Sequence, residues 1–254
     1  AKDKVNVIPK NNGLLLTTEK MEEIKITSLD LSGLDVPTIW KYFMVIYREG
    51  YDEVKVLFDT DVMYDNPYKF ITQHSIDANY HKPLMKFTPF ELVQSITNRF
   101  VGYEIIDQHE NYCIVKDMAS LSSKEFDSSL RRVFLLLNHM LSDIKSSIEK
   151  NNREKVKYIH DIDINVDKFH DYCIRVLNKT GFNEPKKTSL IFATLFLLEL
   201  LGDELKSIAN HIFRDFKNKG LNNLRQIAAL VTDQFNLFYD YFYNFERNKI
   251  IEIG

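Results

Sequence analysis

The sequence predicts an α+β protein, in which a small open α/β sheet domain is followed by an all-α antiparallel helical bundle. With only 8 Gly and 6 Pro among 254 residues, long uninterrupted elements should dominate. Alternating strand patterns and helix-start signals mix up to residue 119, and apolar residues then recur at intervals of three and four. We therefore expect a partial β-hairpin unit at 1–22, an α/β domain at 23–119 and the bundle at 120–254.

Composition and charge narrow the class of protein. The chain is 44% hydrophobic and 27% charged, which is typical of a globular protein. Its net charge of −3 argues against non-specific binding of nucleic acid by the chain as a whole. The apolar runs are too short for a span of about 20 residues, and no secretory leader is evident, so we expect a cytoplasmic protein without membrane insertion. Cys113 and Cys173 lack metal or redox spacing and should be reduced core thiols.

The first 119 residues contain sequence patterns typical of short strands and of two helices. Two apolar runs, 5–8 and 14–16, flank an Asn-Asn-Gly turn and predict the first hairpin. The α/β domain should then contain strands at 24–29 and 54–58, helices starting at Pro37 and Thr88, and a hairpin over 103–107 and 112–117. Residues 60–87 give no firm prediction.

The helical part predicts four helices. The seam of the first is Leu130, Phe134, Leu137, Leu141, Ile144 and Ile148, and that of the second is Ile159, Ile162, Val166, Phe169, Cys173 and Val176. A very apolar third helix should run over 187–217. The fourth should be buried through Leu224, Ile227, Val231, Phe235, Phe238, Phe242 and Phe245. Short connections make an antiparallel bundle.

Two acidic pairs are the candidate functional residues. Asp163/Asp167 and Glu199/Asp203 are each spaced by four, which places both carboxylates of a pair on one helix face. If the two helices bring these pairs together, the four acids would form a metal site lined by oxygen. Such a site suits Mg²⁺, Ca²⁺, Mn²⁺ or iron better than Zn²⁺.

The surroundings of the two pairs differ. Phe192, Leu195 and Phe196 precede Glu199 at helical spacing, so its face should be buried and its charge paired, neutralised or metal-bound. Asp163 and Asp167 only border the seam of the second helix. Taken alone, that pair indicates a solvated helix edge.

Several segments resemble the PhoU-like phosphate-uptake regulators in their archaeal form. The resemblance lies in Arg131-Arg132-Val133-Phe134-Leu135-Leu136 with Met140-Leu141, in Asp163-Ile164-Asn165-Val166-Asp167, in Glu199-Leu200-Leu201-Gly202-Asp203 and in Phe100-Val101-Gly102-Tyr103-Glu104-Ile105. Leu200 and Glu204 stand where the family usually has Arg and His. The opening hairpin resembles half of an AbrB-like DNA-binding domain, so we expect the chain to be a piece of a longer one.

The resemblance implies a non-enzymatic regulator of phosphate uptake and phosphate signalling. It implies that the metal ligands are Asp163, Asp167, Glu199 and Asp203, and that the bundle docks the ATPase subunit of a phosphate transporter or a sensor kinase. It also implies an alternative, a transcription regulator that binds DNA through the AbrB-like unit and uses the bundle to sense a ligand and dimerise.

An enzyme is the less favoured interpretation. A di-iron carboxylate oxidase needs Glu-x-x-His on two helices, and the sequence has neither. Phosphate-cradling Gly-rich loops and nucleophile motifs are also missing from it. His139, His170 and His211 lie on separate predicted helices and are typical of edge or core residues.

Aromatic residues surround the fourth helix on every side. They are Phe235, Phe238, Tyr239, Tyr241, Phe242, Tyr243 and Phe245. Two interpretations stay open: a long helix packed on both the bundle and the α/β domain, or the surface of a homodimer.

Overall fold

The computed structural model describes residues 6–10, 13–17, 24–65, 86–119, 123–215 and 221–245. Within these ranges the chain has the predicted α+β fold, a four-stranded sheet with two helices followed by a helical C-terminal region. The opening hairpin joins β1 (Asn6–Lys10) and β2 (Gly13–Thr17) in antiparallel register, with Val7 opposite Leu16. The Asn-Gly signal thus predicted the strand pairing correctly.

The sheet is built from one crossover unit and one hairpin. Strands β3 (Ile26–Asp30) and β4 (Glu53–Leu57) are parallel and are joined by helix α1 (Val36–Arg48). The hairpin of β7 (Tyr103–Gln108) and β8 (Tyr112–Asp117) adds antiparallel to β4, which gives the order β3-β4-β8-β7.

Local sequence explains where these helices begin. The Asp35 carboxylate accepts a hydrogen bond of 2.9 Å from the Thr38 N–H, and Pro37 lies in the first turn of α1. Helix α2 (Pro89–Thr97) starts with a capping box, in which Thr88 and Glu91 bind each other's backbone N–H. Between these helices lie the short strands β5 (Tyr64–Asp65) and β6 (Lys86–Phe87), in the stretch without a prediction.

Residues 123–215 and 221–245 contain four long helices, as predicted. They are α3 (Ser123–Lys150), α4 (Ile159–Thr180), α5 (Thr188–Asp215) and α6 (Leu221–Tyr243), with 3₁₀ turns at Arg153–Val156 and Pro185–Lys187. Helix α3 packs against the other three, and α4 also packs against α5 and against α1 of the sheet domain. The predicted seam of α3 is buried over its whole length.

The prediction for the start of α6 was wrong. Leu224, Ile227 and Val231 are exposed, and the predicted seam becomes buried only at Phe235. Phe245 is also exposed. Within the described residues the main packing partner of α6 is α3, and the first half of α6 presents aliphatic side chains to solvent.

Candidate functional site

A charged stripe runs along one face of α4. Its members recur every four residues and are Asp163, Asp167, Asp171, Arg175 and Lys179. Residues four apart stack on the same side of a helix, so the stripe is continuous. The stripe faces α5 at its N-terminal end and the sheet domain further along. Each of its five side chains pairs with an oppositely charged side chain, the first with one from α5 and the other four with side chains of the sheet domain.

Asp163 and Asp203, one acid from each predicted pair, share a single cation. The Lys206 Nζ lies 2.6 Å from Asp163 Oδ2 and 2.5 Å from Asp203 Oδ1. These two carboxylates raise the pKa of Lys206 despite its partial burial. The ammonium group therefore stays charged and offsets one of the two negative charges.

Burial of Asp163 corrects one of our expectations. The sequence indicated a solvated helix edge, but the residue is only 2% exposed. Gly202 explains this, because a Cβ there would lie 3.3 Å from Asp163 Oδ1; the missing side chain lets α5 cover the carboxyl group. Loss of hydration raises the pKa of Asp163, and Lys206 opposes that rise.

Asp167 faces the sheet domain. Its Oδ2 lies 3.7 Å from Arg99 Nη2, and the Arg99 guanidinium also lies 5.4 Å from the centre of the Trp40 ring. Loss of hydration and the neighbouring Asp163 raise the pKa of Asp167 to about 8, while Lys206 and Arg99 act in the opposite direction. The pKa of this carboxyl group is therefore well above that of an ordinary Asp.

Glu199 lies on a more open face than predicted. Leu195 is buried, but Phe192 and Phe196 are 47% and 56% exposed. The apolar run of α5 therefore does not form a buried pocket around Glu199. Partial burial and the Asp203 carboxylate still raise the pKa of Glu199, whereas His170 and Arg48 lower it.

The structure thus brings Asp163 and Asp203 together at Lys206, whereas Asp167 faces Arg99 of the sheet domain and Glu199 lies on the more open side of α5. Asp171 is within electrostatic reach of both Asp167 and Glu199. Oxygen donors of this kind suit a hard cation. Between Asp163 and Asp203, however, the Lys206 ammonium already takes the position that a metal ion would need. Across the described ranges, no three His, Cys, Asp or Glu side chains are grouped as metal ligands.

The C-terminal half of the stripe fastens α4 to the sheet domain. The fully buried Arg175 guanidinium donates to the carbonyl oxygens of Tyr47 and Tyr51, at 2.7 and 2.8 Å, and to Asp117 Oδ2 at 2.6 Å. Nearby, the ammonium of Lys179 pairs with the Asp52 carboxylate. This end of the stripe is therefore a polar joint between the two domains.

A second contact of the joint lies closer to the acids. Arg48 Nε donates to Asp171 Oδ1 at 2.8 Å, and His170 Nδ1 is 3.4 Å from the same oxygen. Sequence reasoning missed Asp171, Arg175 and Lys206. The signal was present in the sequence, because acids and bases recur every four residues from 163 to 179 and Lys206 follows Asp203 by three.

The two cysteines and His139 lie away from the four predicted acids. Cys113 and Cys173 are buried free thiols, and burial raises the pKa of Cys113 to about 12. His139 lies 3.3 Å from Asp143 in a cleft of 570 Å³ between α3 and the start of α4. None of the four predicted acids lines this cleft.

The aromatic residues of α6 are largely explained by packing on α3. Five of their rings lie within 6 Å of the Phe134 ring centre, and these are Phe235, Phe238, Tyr239, Phe242 and Tyr243. The Arg131 guanidinium lies 4.4 Å from the Tyr243 ring centre. Most of the aromatic surface thus belongs to the α3–α6 contact.

In comparisons with known proteins, no family model, no curated protein and no solved structure matches the chain. In the described part of the chain, every helix is too short or too polar to cross a membrane. The resemblance to PhoU-like regulators therefore stays a prediction from the motifs.

Proposed function

We propose that this chain is a non-enzymatic regulator of phosphate uptake that acts by binding a cation and a protein partner. The observation that carries the proposal is the placement of Asp163 and Asp203 around one cation, 2.6 and 2.5 Å from the Lys206 Nζ. These acids come from the two motifs that resemble those of PhoU-like proteins, in the same order and on successive helices.

The site controls how α4 and α5 lie against each other. Asp163 is buried beneath Gly202, so its charge must be compensated for α5 to stay in place. Lys206 supplies that compensation, and a hard metal ion held by Asp163, Asp167, Glu199 and Asp203 would supply it when Lys206 is displaced. We infer that the occupant of this site adjusts a bundle surface that docks the ATPase subunit of a phosphate transporter or a sensor kinase.

Metal content tests the first half of this proposal. We would compare the parent chain with Glu199→Gln/Asp203→Asn and with Glu149→Gln/Asp233→Asn, which removes two exposed acids elsewhere. Mass spectrometry should find stoichiometric metal in the parent and the control, and none in the first variant. Absence of metal from all three would reduce the acids to a structural role.

Lys206→Met gives a second and sharper test. If a metal ion must displace the Lys206 ammonium, removal of that group should increase the affinity for Mn²⁺, measured by titration. An unchanged or weaker affinity would contradict a metal site between Asp163 and Asp203. Arg214→Met removes an exposed cation from the same helix and is the control for net charge.

Partner binding tests the second half. The purified ATPase subunit of a phosphate transporter should bind the immobilised chain, and Glu199→Gln/Asp203→Asn should weaken this binding while the exposed-acid control does not. No binding of that subunit or of a sensor kinase would reject the regulatory role, whether or not metal is found.

The hairpin of β1 and β2 supports a second candidate, an AbrB-type transcription regulator. Its strands pair in antiparallel register from Asn6 opposite Thr17 to Lys10 opposite Gly13. A DNA-shift assay at low salt tests it, since phosphate contacts are strongest there. If the DNA does not shift, the transcription-regulator proposal is rejected and regulation through protein partners is the proposal that stays.

A further inference from the structure

Helix α5 carries a second apolar stripe on the side opposite its buried face. The buried side is formed by residues such as Ile191, Leu195, Leu198, Leu205 and Ala209. On the other side Leu190 and Leu197 are 64% and 61% exposed, and Leu200 is 44% exposed. A helix of a monomeric bundle normally presents polar residues there.

The spacing of this stripe is the informative feature. From the 3₁₀ turn onward its exposed positions are Lys186, Leu190, Ala193, Leu197, Leu200 and Glu204. The intervals alternate four and three, as in the seam of a coiled coil. The order of intervals is the same when read from either end, so the stripe is symmetric about position 195.

That symmetry matches the stripe to an antiparallel copy of itself. When two α5 helices pack antiparallel, Leu190 of one faces the partner's Leu200, and Ala193 faces the partner's Leu197. At each end Lys186 faces the partner's Glu204, so the charges are complementary as well. A two-fold interface requires such a self-complementary surface.

The exposed area is sufficient for a stable contact. Leu190, Leu197 and Leu200, with Phe192, Phe196 and Ile208 beside them, expose about 600 Å² in each copy, at roughly 200 Å² for each fully exposed large side chain. Covering this surface in two copies buries about 1,200 Å², the lower bound for specific protein interfaces. Apolar patches of this size commonly mark a protein–protein contact.

We propose that the chain forms a two-fold dimer through antiparallel packing of the α5 stripes. The leucines form the centre of the interface and the pairs between Lys186 and the partner's Glu204 fix its register. Phe192 and Phe196 then lie at the rim, beside Glu199 and Asp203. This proposal stands independently of the phosphate function, since it uses neither the cation site nor the motif resemblance.

Sedimentation equilibrium of the full chain is the first test. The parent should be a dimer, and Leu197→Glu should raise the dimer dissociation constant at least about 100-fold, because it places a charge in the centre of the apolar contact. Leu230→Glu, at a position of α6 that is equally exposed, should leave the dimer intact. A monomeric parent, or a dimer indifferent to Leu197→Glu, would overturn the proposal.

Charge reversal and cross-linking test the register. Lys186→Glu and Glu204→Lys should each weaken the dimer about fivefold, and the double variant should restore it. Chains with Leu190→Cys should form a disulfide with chains carrying Leu200→Cys. Leu190→Cys alone should not, because the two cysteines would lie about 15 Å apart along the helix axis. Efficient cross-linking of Leu190→Cys with itself would indicate parallel packing and contradict the proposed interface.

Discussion

Arg175 and Asp117 form an ion pair of 2.6 Å that joins the middle of the helical bundle to the last strand of the sheet. Neither side chain has appreciable contact with water. The guanidinium also lies 4.9 and 5.1 Å from the ring centres of Tyr47 and Tyr103. Arg175 is therefore the most buried polar contact of this joint, and its guanidinium donates to two carbonyl oxygens and a carboxylate.

Replacement of Arg175 should separate or unfold the two domains. In Arg175→Met the Asp117 carboxylate stays buried without its counter-ion, which typically costs 3–5 kcal/mol, so we expect the free energy of unfolding to fall by about 4 kcal/mol. Urea denaturation followed by circular dichroism measures the change. Arg132→Met, at an exposed position of α3, is the control and should alter stability by about 0.5 kcal/mol or less. Equal stabilities of the two variants would show that the joint contributes little.

Removal of Lys206 should destabilise the chain in a way that depends on pH. Lys206→Met leaves the buried Asp163 carboxylate without compensation, and we expect a loss of about 3 kcal/mol at neutral pH. Burial holds the pKa of Asp163 above 3.8, so the folded state keeps its proton more readily than the unfolded state. The loss should therefore shrink as the pH falls and Asp163 becomes neutral. Denaturation of this variant and of the exposed-cation control Arg214→Met at several pH values checks the trend, and a loss independent of pH would contradict it.

Much of the fold could be predicted because its signals are local. Asp35 and Thr88 mark helix starts through hydrogen bonds within three residues, and β1 pairs with β2, the next strand in the chain. The order strand, helix and strand over 24–58 was also predicted, and the structure pairs β3 and β4 in parallel, as is usual for such a unit.

The candidate site was predicted only in part, because its environment comes from distant segments. The pattern identified Asp163 as an acid beside an apolar seam, but its burial depends on Gly202 in another helix. For Glu199 the error was the reverse. Flanking Phe and Leu residues indicated burial, whereas Phe192 and Phe196 lie on a surface that the bundle leaves uncovered. A run of apolar residues thus does not distinguish a core from an exposed apolar surface.

The stability of the chain should decrease as the pH rises towards 8. The pKa of Asp167 is about 8 in the folded state and near 3.8 when unfolded, so the folded chain binds the additional proton between these values. Asp167→Asn should remove the part of this dependence that comes from Asp167 and stabilise the chain above about pH 8. Since 38% of the Asp167 side chain is exposed, solvent screening limits the gain to on the order of 1 kcal/mol. Thermal unfolding of parent and variant across this range measures it, with Asp161→Asn on the same helix as the control for charge. A constant difference between parent and variant at all pH values would exclude this origin.

Phe134 should determine whether α6 stays docked. Five aromatic rings of α6 surround its ring, with centre-to-centre distances between 5.3 and 5.9 Å. Phe134→Ala removes the group that all five share, and a cavity of this kind costs about 3–5 kcal/mol. Because the first half of α6 is exposed, we expect the helix to detach as a unit while α3, α4 and α5 stay folded. Hydrogen exchange should therefore accelerate across residues 221–243 and little elsewhere. Phe245→Ala removes an exposed ring and should leave exchange unchanged. Uniform acceleration through all four helices would show instead that α6 is an integral part of one cooperative bundle.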